Sequence, residues 1–233
     1  MGKSFAYSWT RLEKWRQCPK QYYHVFVAKD VPQESTDAMT WGTSFHEAVS
    51  KYIDNGKPLP DSMNAFRDLP DQLRTQKLNG SRVTTELQLA MDAEFQPTEW
   101  FGRNTWLRVI VDVLVLPPVK RQGERAAIAI DWKTGNKVKP ENEQLALNAA
   151  VVFAHHEDVD VVHTSYQWIA KKQDTLVTFS REGMVPFWAG LLPEVKRFEQ
   201  ASINMTFPPN PATGNCDTYC PVKECPYYRK NRR

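Results

Sequence analysis

The chain has 233 residues, 41% of them hydrophobic and 24% charged, with 30 Lys+Arg against 27 Asp+Glu for a net charge of +3. This is ordinary globular usage, long enough to bury a core without disulfides, and it excludes a chain disordered throughout. The charge is too mild to establish a polyanionic partner. No apolar run reaches the length of a membrane span, and the opening MGKSFAYSWTRLEKW has no signal-like apolar stretch, so a cytoplasmic protein without a membrane partner is expected.

Residues 8–27 read as helical, broken near Cys18-Pro19, with Ser8 as N-cap. Trp9, Leu12 and Trp15 form a stripe at helical spacing that Tyr22, Tyr23 and Phe26 continue. A second helix is predicted to start near Gly42-Thr43, to carry Phe45, His46, Val49 and Ile53, and to stop at Asn55-Gly56-Lys57-Pro58. A short helix is expected around 62–78. The pattern then changes to strands over 83–90, 105–116 (TWLRVIVDVLVL) and 126–132 (AAIAIDW), rich in β-branched and apolar residues. A helix follows over 141–154 with Pro140 near its start, then strands over 159–170 and 175–180, then a helix over 182–200 in which Pro193 predicts a kink. The last thirty or so residues read as irregular. There is no internal repeat and no long low-complexity linker. This order predicts an α/β or α+β fold, a mixed central β-sheet flanked by helices. A helical region over 1–80, a core over 81–205 and a cysteine-bearing tail over 206–233 are expected to form one compact unit.

Asp112 interrupts VIV-LVL, where a carboxylate is costly unless paired or metal-bound. Asp131 ends the next strand and Lys133 stands two residues on, so both face one side. Two carboxylates beside an ammonium suit phosphodiester hydrolysis. The carboxylates hold Mg²⁺ or Mn²⁺, which prefer oxygen ligands, and the ion lowers the pKa of an attacking water while Lys133 orients that water or stabilises phosphate charge. A charged pair at a strand end is the other reading of Asp131-Trp132-Lys133.

Ordered motifs accompany this triplet: Gly42-Thr43-Ser44-Phe45-His46, then Asp112, then Asp131-Trp132-Lys133, then a helix with Gln144. Over roughly residues 8–228 the set resembles the PD-(D/E)XK nuclease superfamily, in its RecB-like branch. The resemblance implies a restriction-endonuclease-like core. It makes His46, Asp112, Asp131 and the main-chain carbonyl of Trp132 metal ligands, and Asp112, Asp131, Lys133 and Gln144 catalytic. Gln144 would contact substrate phosphate or the site lysine. The Lys133-Thr134-Gly135 turn also looks like the family, whereas Asn148 stands where the family often carries Tyr. Read alone, His46 is an ordinary helix histidine, and Glu86 is either an outer-shell carboxylate or an exposed strand residue or member of an ion pair.

Cys18 lies upstream of these motifs and Cys216, Cys220 and Cys225 downstream, which resembles the iron–sulfur subgroup of RecB-like nucleases. That resemblance implies a [4Fe–4S] cluster on four thiolates, closing a loop of nearly the whole chain. The Cys-x₃-Cys-x₄-Cys spacing departs from the commoner two and five intervening residues. A Cys₄ zinc site and four free thiols are the alternatives. The function implied is a metal-dependent DNA exonuclease acting on ends or single strands in replication, recombination or repair, with DNA and recombination or replication proteins as partners. A non-catalytic or accessory nucleic-acid-binding subunit is the competing reading. Trp41, Trp100, Phe101 and Trp106 flank the site strands and serve either to stack bases or to pack the core. The tail Arg229-Lys230-Asn231-Arg232-Arg233 either touches phosphates or is simply solvated.

Overall fold

A computed structural model describes residues 5–32, 35–118, 125–138, 141–217 and 220–229. Pro140 and the tail residues after Arg229 lie outside the described residues. The chain divides into two compact units, one of Thr36–Phe187 and one joining Met1–Ser35 to Trp188–Arg233.

The central unit is built on a mixed six-stranded sheet in the order β2-β1-β3-β4-β5-β6. Its strands are β1 (Arg82–Met91), β2 (Pro97–Thr98), β3 (Leu107–Leu116), β4 (Ala126–Lys133), β5 (Val161–Trp168) and β6 (Gln173–Ser180). All neighbours are antiparallel except β4 and β5. A parallel pair needs a crossover, and the helix over Glu143–His155 supplies it. The sheet is the one predicted from the element order, with two local differences. Strand β2 has only two residues, too few to show alternation. Strand β3 begins two residues later than its apolar run, because the Thr105 hydroxyl donates to the Glu99 carbonyl at 2.8 Å and holds that end in a turn.

The N-terminal helices, numbered along the chain, are α1 (Trp9–Gln17), α2 (Pro19–Tyr22), α3 (Asp37–Asn55) and α4 (Asp68–Leu78), with α5 the crossover helix and α6 at Met184–Ile203. Phe45, Val49 and Ile53 of α3 and Leu73 of α4 pack on Val83, Val113, Val115, Ile130 and Trp132 of the sheet. Leu145 of α5 packs with Tyr166 and Trp168. The segment 62–78 divides into a 3₁₀ turn (Asp61–Phe66) and α4.

Helix α3 starts five residues before the Gly42 expected to open it. Thr36 caps it, its hydroxyl accepting the Met39 N–H at 3.3 Å, and Gly56 ends it at φ +71° as expected. Gly42 therefore sits inside the helix, and its smallness serves packing rather than capping. A Cβ there would lie 2.7 Å from Thr134 Oγ1, in the turn after β4. The bare Cα lets α3 press against that turn, one helical turn before His46.

In the terminal unit the break at Cys18 is real: the residue is extended between α1 and α2, and Pro19 opens α2. Ser8 occupies the N-cap position of α1 without a side-chain capping bond. Tyr22 leads into a π-helical turn (Tyr23–Ala28). Rings of Phe5, Trp15 and Tyr22 surround Phe198 of α6 at centroid distances of 4.9, 5.1 and 4.8 Å. Pro193 lies inside α6. Among the described residues no helix is long and apolar enough to cross a membrane.

The Gly42 contact gives a direct test. Gly42→Ala should destabilise the protein by about 1–3 kcal/mol, the usual cost of overpacking. Adding Thr134→Ala removes the clashing oxygen and should recover most of that loss. Thermal denaturation of the two singles and the double would show an interaction between the sites; strict additivity would place the strain elsewhere.

Candidate active site

The sheet comes apart at one place. Strands β1 and β3 pair at Thr85↔Val113 and at Leu87↔Val111, leaving Glu86 and Asp112 unpaired between them. Glu86 has φ +48°, a left-handed conformation that costs a side-chain-bearing residue roughly 1–2 kcal/mol. On its other side β3 pairs with β4 only as far as Val113↔Ile130. The next step would oppose Asp112 to Asp131. Instead Asp112 Oδ2 accepts the Trp132 N–H at 2.8 Å, so a side chain replaces the missing ladder bond.

Helix α3 delivers His46 to this opening. Its Nδ1 lies 3.4 Å from Glu86 Oε1 and 3.5 Å from Asp112 Oδ2, and its Nε2 lies 3.2 Å from the Trp132 carbonyl oxygen. With Nε2 donating to that carbonyl, Nδ1 is the atom that faces both carboxylates. One ligand atom from each of His46, Glu86 and Asp112 falls within 4.8 Å of the others. An imidazole nitrogen beside two carboxylates is a donor set suited to one small divalent cation. The carbonyl on the far ring nitrogen fixes the tautomer that such a ligand needs.

A second set adjoins it. Asp131 is 3% exposed. Its Oδ1 receives the Lys133 ammonium at 2.7 Å and its Oδ2 the Gln144 Nε2–H at 2.5 Å. Lys133 also donates to Gln144 Oε1 at 2.8 Å, closing a three-membered ring of contacts. The ammonium lies 4.8 Å from the Tyr166 ring centroid, on the residue paired with Asp131 across β5. Strand alternation puts Asp131 and Lys133 on one face, and the first turn of α5 puts Gln144 above them.

Burial and mutual repulsion load the site with protons. Burial, then the Asp131 charge, push Asp112 up to about 7, against the smaller opposing effects of His46 and the Trp132 N–H. Burial also raises Asp131, while Lys133 pulls it down. For His46, burial favours the neutral ring, but Glu86, Asp112 and Asp131 outweigh it and the pKa rises.

The structure thus brings His46, Asp112, Asp131, Lys133 and Gln144 into one neighbourhood. Asp131 lies outside the trio within 4.8 Å, and Glu86 stands in it. Trp132 offers its carbonyl to His46, while its ring packs edge-on to Phe45 at 6.0 Å. The register was the signal for Glu86, since pairing Val113 with Thr85 places Asp112 opposite it. Asn148, one turn beyond Gln144, is 1% exposed, and neither amide atom has a hydrogen-bond partner among the described residues. Of the flanking aromatics, Trp41 stacks on Phe45 at 5.4 Å and Trp106 is buried, whereas Phe101 is 83% exposed.

The four cysteines lie in the terminal unit, unbridged, with Cys18, Cys216 and Cys225 buried and Cys220 half-buried. Cys18 Sγ accepts the Asn210 N–H at 3.3 Å. Burial raises the Cys220 thiol; an N–H from Val222 lowers it, and Cys18, Cys216 and Cys225 raise it further.

Raised pKa values carry a sign. The metal-free folded protein holds the Asp112 proton more tightly than the unfolded chain, whose value is near 3.8. The resulting stability is present below that value and is lost as pH rises through about 7. His46 acts in the same direction. Metal-free protein should therefore lose thermal stability between pH 5 and 8. Because a cation must displace the Asp112 proton, Mn²⁺ should bind about tenfold more weakly at pH 6 than at pH 8. Calorimetric titration at the two pH values checks this, and equal affinities would exclude Asp112 as the titrating ligand.

The family model of the PD-(D/E)XK nuclease superfamily matches residues 6–225. No curated protein sequence matches. A solved structure titled "Crystal structure of SSO0001" aligns over 98% of this chain and 89% of its own, at 11% identity and a TM-score of 0.44, a likeness too loose to bear on the site. The chain belongs to the PD-(D/E)XK nuclease superfamily, whose members generally hydrolyse phosphodiesters with the help of divalent metals.

Proposed function

We propose that this protein is a metal-dependent DNA exonuclease of the RecB-like branch, acting on single strands or free ends in replication, recombination or repair. The observation that carries this reading is the adjacency of the two sets, His46–Glu86–Asp112 and Asp131–Lys133–Gln144, at one break in the sheet.

In this reading His46, Glu86 and Asp112 would hold a Mg²⁺ or Mn²⁺ ion, with Asp131 and the Trp132 carbonyl the further ligands that the family resemblance implies. When bound, the ion would supply positive charge to the phosphate and acidify the attacking water. The chain's own groups do the rest. Asp131 and Gln144 hold the Lys133 ammonium at a fixed point, where it can orient water or neutralise charge growing on a non-bridging phosphate oxygen. Water oxygen bonds to phosphorus, the P–O bond to the leaving nucleoside oxygen breaks, and the water proton passes to solvent as the leaving oxygen gains one.

Both Lys133→Ala and Asp131→Ala should lower cleavage by at least about 100-fold while leaving DNA binding nearly unchanged, since each acts on the transition state more than on the bound strand. End-labelled single- and double-stranded DNA, incubated with and without Mg²⁺, reads activity and polarity together. Retention of full activity in either variant would remove this site. Wild-type binding without metal-dependent cleavage would favour the accessory-subunit reading.

We further propose that Cys18, Cys216, Cys220 and Cys225 hold a [4Fe–4S] cluster. Three of the four are buried, all lie in one unit, the other three act electrostatically on Cys220, and a backbone N–H points at the Cys18 sulfur, as is usual for cluster thiolates. A Cys₄ zinc site is the competing reading. Anaerobically purified protein should be brown, contain iron and acid-labile sulfide, and lose both colour and thermal stability on Cys18→Ser. Colourless protein with one zinc per chain would establish the alternative.

A further inference from the structure

Strand β3 carries a second feature beyond the acidic group. Along it burial alternates: Leu107, Val109, Val111 and Val113 point inward, while Arg108, Ile110 and Asp112 lie on the more open side. Ile110 is exposed, and so is Gln88, its partner on β1. This open strip runs from Asp112 to the turn over 99–104. There Arg108 Nε donates to the Trp100 carbonyl at 2.6 Å. Its guanidinium carbon lies 5.9 Å from the Trp100 ring centroid and 5.4 Å from that of Phe101. Phe101 stands 83% exposed.

The segment that presents Phe101 is tightly built. Buried Asp92 receives the N–H groups of Glu94 and Gln96 at 3.0 and 2.8 Å and the Asn104 amide at 3.2 Å. Thr105 ties back to Glu99, and the Gly102 N–H reaches the same carbonyl at 3.0 Å. A single exposed apolar side chain needs no explanation by itself. Here a whole ring is held in water on a braced turn, beside a guanidinium, at the end of an open strip that begins at the metal-ligand group.

We propose that Phe101 and Arg108 form an anchoring subsite for a single nucleic-acid strand whose scissile phosphate lies at Asp112. This rests on the nuclease reading above and adds to it where the strand is gripped. A base stacks on Phe101, a contact that tolerates any sequence, and the Arg108 guanidinium, weakly hydrated and planar, pairs with a backbone phosphate. Four residues of strand separate Arg108 from Asp112, about 13 Å. That spans about four nucleotides stacked at 3.4 Å, and fewer in a stretched strand. Because the anchor lies to one side of the acidic group, it makes the approach of the strand directional.

The test uses the full chain and fluorescein-labelled single-stranded DNA oligonucleotides. Anisotropy without metal reads binding, and steady-state cleavage with Mn²⁺ reads KM and kcat. Phe101→Leu should weaken binding about tenfold and raise KM with kcat unchanged, and Phe101→Trp should restore both. Arg108→Ala should reduce the slope of log affinity against log salt by about 0.7, the contribution of one phosphate. Thermal denaturation of each variant separates this from a loosened turn, and Phe101, being exposed, should leave the melting temperature unchanged. Binding and KM equal to wild type in Phe101→Leu would overturn the subsite while wild-type cleavage upheld the nuclease reading. Conversely, weaker binding in Phe101→Leu with no cleavage by wild type would uphold the strand contact and sink the nuclease reading.

Discussion

The sheet opens at Asp112, and the site depends on what that opening forces together. A regular ladder would keep the Asp112 carboxylate apart from its neighbours and bond the Trp132 N–H to a main-chain oxygen. With the ladder interrupted on both sides, Asp112 takes that N–H itself and meets Glu86 on one flank and His46 in front. Like charges crowded in a half-buried place are unfavourable unless a proton or a cation is shared among them. Burial first, and then the charge of Asp131, lift Asp112 to about 7. On the proposed function a divalent ion would relieve the crowding without the proton, so the same local strain that disfavours the metal-free site at high pH would favour its loading.

Rigid elements hold this arrangement. His46 could not reach the opening unless α3 lay against the turn after β4, and Gly42 permits that approach. Phe45, the residue before His46, is fully buried against Trp132, the residue between Asp131 and Lys133. One aromatic contact therefore fixes helix and strand together, and the chemistry-bearing neighbours of both residues inherit the register. Side chains set on packed helices and strands hold their geometry better than side chains on loops.

Much of this was legible because the relevant signals are local. A carboxylate inside VIV-LVL announces itself, as does an Asp-x-Lys at the end of an apolar strand, and these locate two of the three site strands. The mixed sheet followed from the alternation of strand and helix patterns. What was not legible depended on pairing. Glu86 reads equally as an outer-shell carboxylate or as an exposed strand charge until the register sets it opposite Asp112, and no short hairpin between β1 and β3 specifies that register in the sequence. Gly42 looked like a helix boundary because glycine usually punctuates; its role here is a contact with Thr134, ninety-two residues away in the chain. The two-residue β2 left no periodic trace at all.

The two carboxylates of the motif, though adjacent, carry different burdens. Asp131 has both oxygens engaged by cationic or amide donors, from Lys133 and Gln144. Lys133 offsets part of the burial that raises it, and the Asp131 contacts serve to fix the ammonium. Asp112 has one N–H and an imidazole, and its remaining neighbours are acidic. It is the carboxylate whose charge the protein leaves for a partner to balance. Glu86, in a left-handed conformation within a strand, adds its negative charge to the site and raises both Asp112 and Asp131. The site is thus graded: a self-neutralised lysine assembly on one side, an electron-rich trio on the other, and Trp132 between them, its N–H bound to Asp112 and its carbonyl to His46. On the proposed function, cation capture and lysine positioning are separate tasks, joined through the backbone of one residue.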